Sequence, residues 1–204
     1  MREFVEDNSI GMLGLIGSHF LTPMFAGWWT EIACRGQVRQ GIGQGKKYRV
    51  EMTCMTRTDD KDRDVVAVDD LWMVIKRNLF DSISFDSKTY KGFHFYDTDI
   101  CIQVIKSGYK IRIVDNVDVE HKSLGNIGTQ YYLDCIRFHK KWDAYLPVCS
   151  LPVSQEIMQQ HETSVMESYF RLRAAYYEQN KMLKSIFHRV ATKLYVFCKR
   201  LSLI

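Results

Sequence analysis

Two carboxylates, Asp97 and Asp99, stand two residues apart in the stretch Gly92-Phe93-His94-Phe95-Tyr96-Asp97-Thr98-Asp99, among aromatic rings and at the mouth of the apolar run Ile100-Cys101-Ile102. A carboxylate so placed can take a proton from a hydroxyl. About twenty residues on, Val117-Asp118-Val119-Glu120-His121 pairs an acidic segment with a histidine. A carboxylate and an imidazole together can also hold a cation. The ordinary alternatives are that the two aspartates merely cap a helix, since carboxylates are common in first turns, and that His121 is a hydrogen-bonded loop residue.

The elements that position these residues are legible in the pattern. Ile100, Cys101, Val104 and Ile105 form a helical stripe over residues 96–107, with Asp97 or Thr98 near the N-cap and Gly108 as terminator. This puts both carboxylates at the positive end of the helix dipole. An alternating run at 109–114 predicts a strand after it, and 12–16, bounded by Gly11 and Gly17, predicts a buried strand. Segments 65–68 and 71–75 are strand-like around Asp69-Asp70, and 76–80 reads as a helix opening. The glycine-rich, basic stretch 36–47 reads as a mobile surface loop; its Gly41-Ile42-Gly43-Gln44-Gly45 lacks the strand-to-helix context and the Lys-Ser/Thr ending of a phosphate loop. The run 59–64 spells Asp-x-Asp, yet its alternating charges and the absence of an apolar strand before it predict a solvated loop.

Composition narrows the class. With 204 residues, 46% of them hydrophobic, the chain can bury one substantial core. A net charge of +4, spread over 28 basic and 24 acidic residues, comes with no zinc-finger spacing and no aromatic RNA-binding box, so nucleic acid is not an expected partner. The six cysteines form no Cys-x-x-Cys pair and follow no secretory leader, which predicts reduced thiols in the cytoplasm. No run approaches the ~20 apolar residues needed to cross a bilayer.

Taken in order, the segments 10–17, 68–77, 85–99 and the one around His121 resemble the second half of inverting family-2 glycosyltransferases of the GT-A fold, within the bacterial glycosyltransferase-like subgroup related to streptomycin-biosynthesis-type proteins. The resemblance runs from about residue 4 to 142. It implies an α/β fold, a partial GT-A-like mixed sheet with flanking helices over 1–150, and a helical C-terminal extension over 151–204. It also implies transfer of a sugar from a nucleotide-sugar donor to a glycan or lipid-linked acceptor, as in enzymes that build cell-surface polysaccharide. Asp97 occupies the place of the catalytic base, with Asp99 in support. Asp69 falls near the acceptor pocket; Asp70 follows it where relatives carry glycine, so the acceptor role rests on Asp69. His121 falls where a histidine completes the shell of a Mn2+ or Mg2+ ion. Trp72, His94 and Tyr96, with Phe93, Trp28 and Trp29, are candidates to stack on sugar rings, although core packing is the better reading for Trp72.

In family members a nucleotide-binding half ending in Asp-x-Asp comes first, and the sequence has no room for it before Phe4. Two readings therefore stand: a glycosyltransferase, or a non-catalytic binding module derived from one. In the second, residues 154–204, expected to form one or two long helices, would mediate homodimerisation. The basic, apolar part 181–204 is also a candidate for peripheral contact with the inner face of the membrane, although packing on the core or on a second subunit is the better reading.

Overall fold

The structure, a computed structural model, describes residues 2–24, 27–56, 62–122, 127–180 and 190. Within them the chain forms a mixed α/β architecture. A short helix α1 (Arg2–Glu6) leads into strands β1 (Ile10–Gly14), β2 (Ile16–Ser18), β3 (Phe20–Leu21), β4 (Cys34–Ile42), β5 (Arg49–Thr56), β6 (Asp64–Val65), β7 (Ala67–Val68) and β8 (Met73–Ile75). Helix α2 (Tyr96–Lys106), strands β9 (Lys110–Ile113) and β10 (Glu120–His121), helix α3 (Thr129–Trp142), strand β11 (Val148–Cys149) and helix α4 (Gln155–Gln179) follow.

One sheet has the order β6-β9-β1-β8, in which β9 runs parallel to β1 while β8 and β6 are antiparallel to their neighbours. A second has the order β10-β4-β2-β7, with β5 paired on β4; only β10 is parallel to its partner. The pair β11-β3 is antiparallel. β1 is buried along its whole length, as its unbroken apolar run predicts.

α2 lies over β7, β9 and β1. Ile100, Cys101, Ile102 and Val104 are fully buried in it, and each aliphatic side chain so covered is worth roughly 1.5–3 kcal/mol. The helix stops where Gly108 adopts φ +82, a backbone conformation that costs glycine little.

Two local expectations are corrected. The stretch 36–47 is not a mobile loop: most of it is β4 and the turn to β5, with Gly43 (φ +84) and Gly45 (φ +54) making the reversal. Gly36 (φ +88) is required inside the strand because a side chain there would stand 2.0 Å from the Leu15 carbonyl oxygen. Glycines placed for backbone approach hide the alternation that would otherwise mark a strand. Residues Arg77–Asp81 form a 3-10 turn, not the opening of an α-helix, and the turn buries Leu79 in the core under α2.

Of the polar run 59–64, residues 59–61 lie outside the described residues. Asp64 belongs to β6, where Arg112 Nε donates to its Oδ1 at 2.7 Å, so this carboxylate is committed to an ion pair. Segment 181–204 also lies outside the described residues apart from Val190. Among the described residues no helix is long and apolar enough to cross a membrane.

Candidate active site

α2 begins in an unusual way. Its N-cap is Phe95, at φ 65 and ψ −5, rather than Asp97 or Thr98 as the pattern suggested. A left-handed aromatic residue is rare and persists where packing overdetermines it. Here the Phe95 ring is buried 5.0 Å from the Tyr131 ring and 5.4 Å from that of Phe138. Phe95 thereby fixes where the first turn, with both carboxylates, points.

The two carboxylates then diverge. Residues two apart on a helix point about 200° apart. Asp99 is fully buried and saturated: Trp142 Nε1 donates to Oδ1 at 2.8 Å, Tyr90 Oη to Oδ1 at 3.2 Å and Gln103 Nε2 to Oδ2 at 2.7 Å, with Lys141 Nζ 2.7 Å from Oδ1. It binds α2 to the end of α3, so its part in the site is to hold the helix in place.

Asp97 is half-buried on the other side. Thr98 donates to its Oδ1 from the backbone N–H at 2.7 Å and from Oγ1 at 3.3 Å, which leaves Oδ2 without a hydrogen-bond partner among the described residues. Burial pushes the carboxyl up to about 7, and the negative charges of Asp69 and Asp70 push the same way against the Thr98 hydrogen bonds. Both neighbours are raised by burial too, with the charge of His121 pulling each back and His94 acting on Asp70.

Asp69 and Asp70 follow β7. The Leu71 N–H donates to Asp69 Oδ1 at 2.9 Å, and Tyr96 Oη donates to Asp70 Oδ2. Asp70, the departure from the glycine pattern, is thus a member of the cluster. His121 arrives from β10, in register with Gln40 of β4. The Gln40 amide is pinned by donating to the carbonyls of Gly41 and His121, at 3.1 and 3.0 Å. Its Oε1 therefore faces His121 Nδ1 at 3.0 Å and can only accept, so Nδ1 carries a hydrogen.

The sequence-predicted residues do not all meet. Asp97, Asp69, His121, His94 and Tyr96 share one electrostatic neighbourhood. Trp72 packs on the core of Ile10, Leu13, Leu15 and Val114. Tyr131 was not foreseen: its ring lies 5.2 Å from His94, and Asp97 is among the charges acting on its hydroxyl. No local signal marks it, because a tyrosine in an amphipathic helix reads as core.

Among the described residues no three His, Cys, Asp or Glu side chains stand together as metal ligands. These residues by themselves do not build the Mn2+ or Mg2+ site implied for His121.

The fold and site together define a mixed α/β domain with a half-buried acid cluster at the start of a central helix. The chain belongs to the glycosyltransferase-like family, whose model matches residues 1–142. It is similar to the streptomycin biosynthesis protein StrF of Streptomyces griseus, at 28% identity over 123 residues, which is 59% of this chain and 38% of that protein. The chain thus spans well under half of that relative's length. No solved structure matches it.

Proposed function

We propose that this chain carries the acceptor side of a GT-A-type, inverting glycosyltransferase, with Asp97 as the general base. Residues 1–150 are the transferase-like unit in this reading, and 151–204 a helical extension. The observation that carries it is the carboxyl of Asp97, pushed up to about 7 by burial, with one oxygen left unpartnered among the described residues at the first turn of α2. An aspartate at its ordinary value is too weak a base for a hydroxyl, whereas one poised near neutrality is matched to the task.

The acceptor hydroxyl gives its proton to Asp97 as its oxygen attacks the anomeric carbon of a nucleotide sugar. The new C–O bond forms on the face opposite the diphosphate. The old C–O bond breaks and its electron pair departs with the nucleoside diphosphate, which inverts the configuration. Asp69, Asp70, His94 and Tyr96 would orient the acceptor, and Asp99 holds the helix that aims Asp97. Gln40 holds His121 so that its charge tempers the two neighbouring aspartates.

The test compares the chain with its Asp97→Asn variant across a panel of nucleotide sugars, with and without Mn2+, by transfer or donor hydrolysis and by thermal midpoint. Loss of about 10²–10⁴ in rate with an unchanged or higher midpoint is expected. Normal turnover in the variant removes Asp97 as the base. No midpoint shift and no turnover with any donor overturns the reading for this chain.

A further inference from the structure

β5 stands at the rim of its sheet. It pairs with β4 on one side, and among the described residues no strand pairs with its other side. The free N–H and C=O groups of such an edge template another strand, and proline, bulges or repelling charges normally block this. β5 has 8 residues and no proline, and the one irregularity of its ladder is at the far end, between Gly36 and Val38 of β4.

Its side chains alternate. Tyr48, which leads into the strand, Val50 and Met52 share one face and are 38%, 37% and 43% exposed. Tyr48 is fixed there, its hydroxyl against Gly41 and donating to Glu120 Oε1 at 2.5 Å. Arg49 and Glu51 share the other face, both exposed, with Arg49 Nε 2.6 Å from Glu51 Oε1. Consecutive exposed apolar side chains on an unpaired edge mark a surface that meets another chain.

The charges decide which strand fits. In a symmetric antiparallel pair the two strands share their alternation, so the two-fold axis passes through a residue that faces its own copy. An axis at Arg49 or at Glu51 would set like charges face to face, which is unfavourable. An axis at Met52 overlaps more of the strand but leaves Arg49 facing Met55 and Glu51 facing Thr53, both uncharged. An axis at Val50 sets Arg49 opposite the partner's Glu51 and Glu51 opposite the partner's Arg49. It also stacks Tyr48 on the partner's Met52 and Val50 on the partner's Val50 along the apolar face.

We propose that β5 pairs antiparallel with β5 of a second copy of this chain, about a two-fold axis at Val50. The oppositely charged pair that each copy closes on itself is then shared between two copies, and each carboxylate lies between two guanidinium groups. An edge of about five residues is a small interface, so the association is weak and reversible. Gln40, which holds His121, faces Glu51 across the β4-β5 ladder, so the paired edge lies one strand from the acid cluster. The interface does not depend on the transferase reading.

Sedimentation velocity of the full chain from about 1 to 300 µM tests this, with reversible dimerisation expected in that range. Arg49→Glu and Glu51→Arg should each weaken the dimer by about tenfold or more, since each sets like charges opposite one another twice. Mixed in equal amounts, these two variants should dimerise with each other, and the double reversal R49E/E51R should dimerise with itself, because both restore opposite charges in this register alone. Val50→Lys, which sets two lysines face to face at the axis, should abolish the dimer while its thermal midpoint shows that the chain still folds. A parent that stays monomeric over the range overturns the proposal. So does a dimer indifferent to the single reversals or to a folded Val50→Lys, as one formed through residues 154–204 would be, and so does a mixture of the two single variants that fails to associate.

Discussion

Trp142 Nε1 donates to Asp99 Oδ1 across 2.8 Å, joining the last residue of α3 to the first turn of α2. Lys141, one residue earlier, reaches the same oxygen at 2.7 Å and Asp86 at 2.8 Å. α2 is thus clamped at the end where Asp97 faces the opposite way, and the aim of Asp97 depends on contacts made by its neighbour.

Asp99→Ala would leave the Trp142 and Tyr90 donors without this acceptor in a buried place. Removing one partner of a buried, bonded charge is worth about 3–5 kcal/mol. Asp99→Asn keeps the shape and should lose about 1–3 kcal/mol. Urea unfolding of the two variants beside Asp97→Asn checks this; a harmless Asp99→Ala would deny the clamp.

Asp97 should make stability fall with rising pH. Its carboxyl is raised from the ordinary 3.8 to about 7 in the folded chain, so the folded state holds the proton more tightly. The contribution is full below about 4 and lost as pH rises through 7, amounting to roughly 2–4 kcal/mol. Asp97→Asn cannot ionise, and its stability relative to the parent should climb between pH 4 and 7. Parallel unfolding curves over that range would show that the carboxyl is not raised.

The same carboxyl predicts the pH profile of transfer. As a base Asp97 must be ionised, so kcat/KM should rise about tenfold per pH unit below about 7 and flatten above it. A limb turning near 4 would assign the proton transfer to a group in an ordinary environment.

His161 on α4 is buried, with Nδ1 2.7 Å from Thr30 Oγ1 and its ring 5.2 Å from that of Phe20. Burial lowers it from 6.5 to about 4, with the nearby His19 adding like charge. The docking of α4 should be intact above about 6.5 and weaken as pH falls toward 4, by up to roughly 3 kcal/mol. Hydrogen exchange in α4 at pH 7 and 4.5 should show the loss, and His161→Phe should remove most of the pH dependence.

Gly36→Ala should lower stability by at least about 2 kcal/mol, since the new methyl would meet a backbone oxygen at 2.0 Å at a φ of +88. Gly108→Ala, at φ +82 with nothing within 4 Å, should cost only about 1–2 kcal/mol. Thermal midpoints of the pair separate close approach from backbone preference.

The sequence by itself determined the features that depend on near neighbours. The stripe Ile100, Cys101, Val104 places a helix, Gly108 ends it, and 10–14 reads as a buried strand because each pattern is written within a few residues. The family resemblance rested on such local segments in order, and the family match covers them. Only the tertiary structure decided how two similar aspartates differ. Asp99 meets Trp142 at a separation of 43 residues, and His121 meets Gln40 at 81, so partner and burial come from distant parts of the chain. The same holds for Tyr131 beside His94 and for Asp70 beneath Tyr96. Proton affinity follows from desolvation and nearby charge, and those exist only once the strands and helices have brought remote residues together.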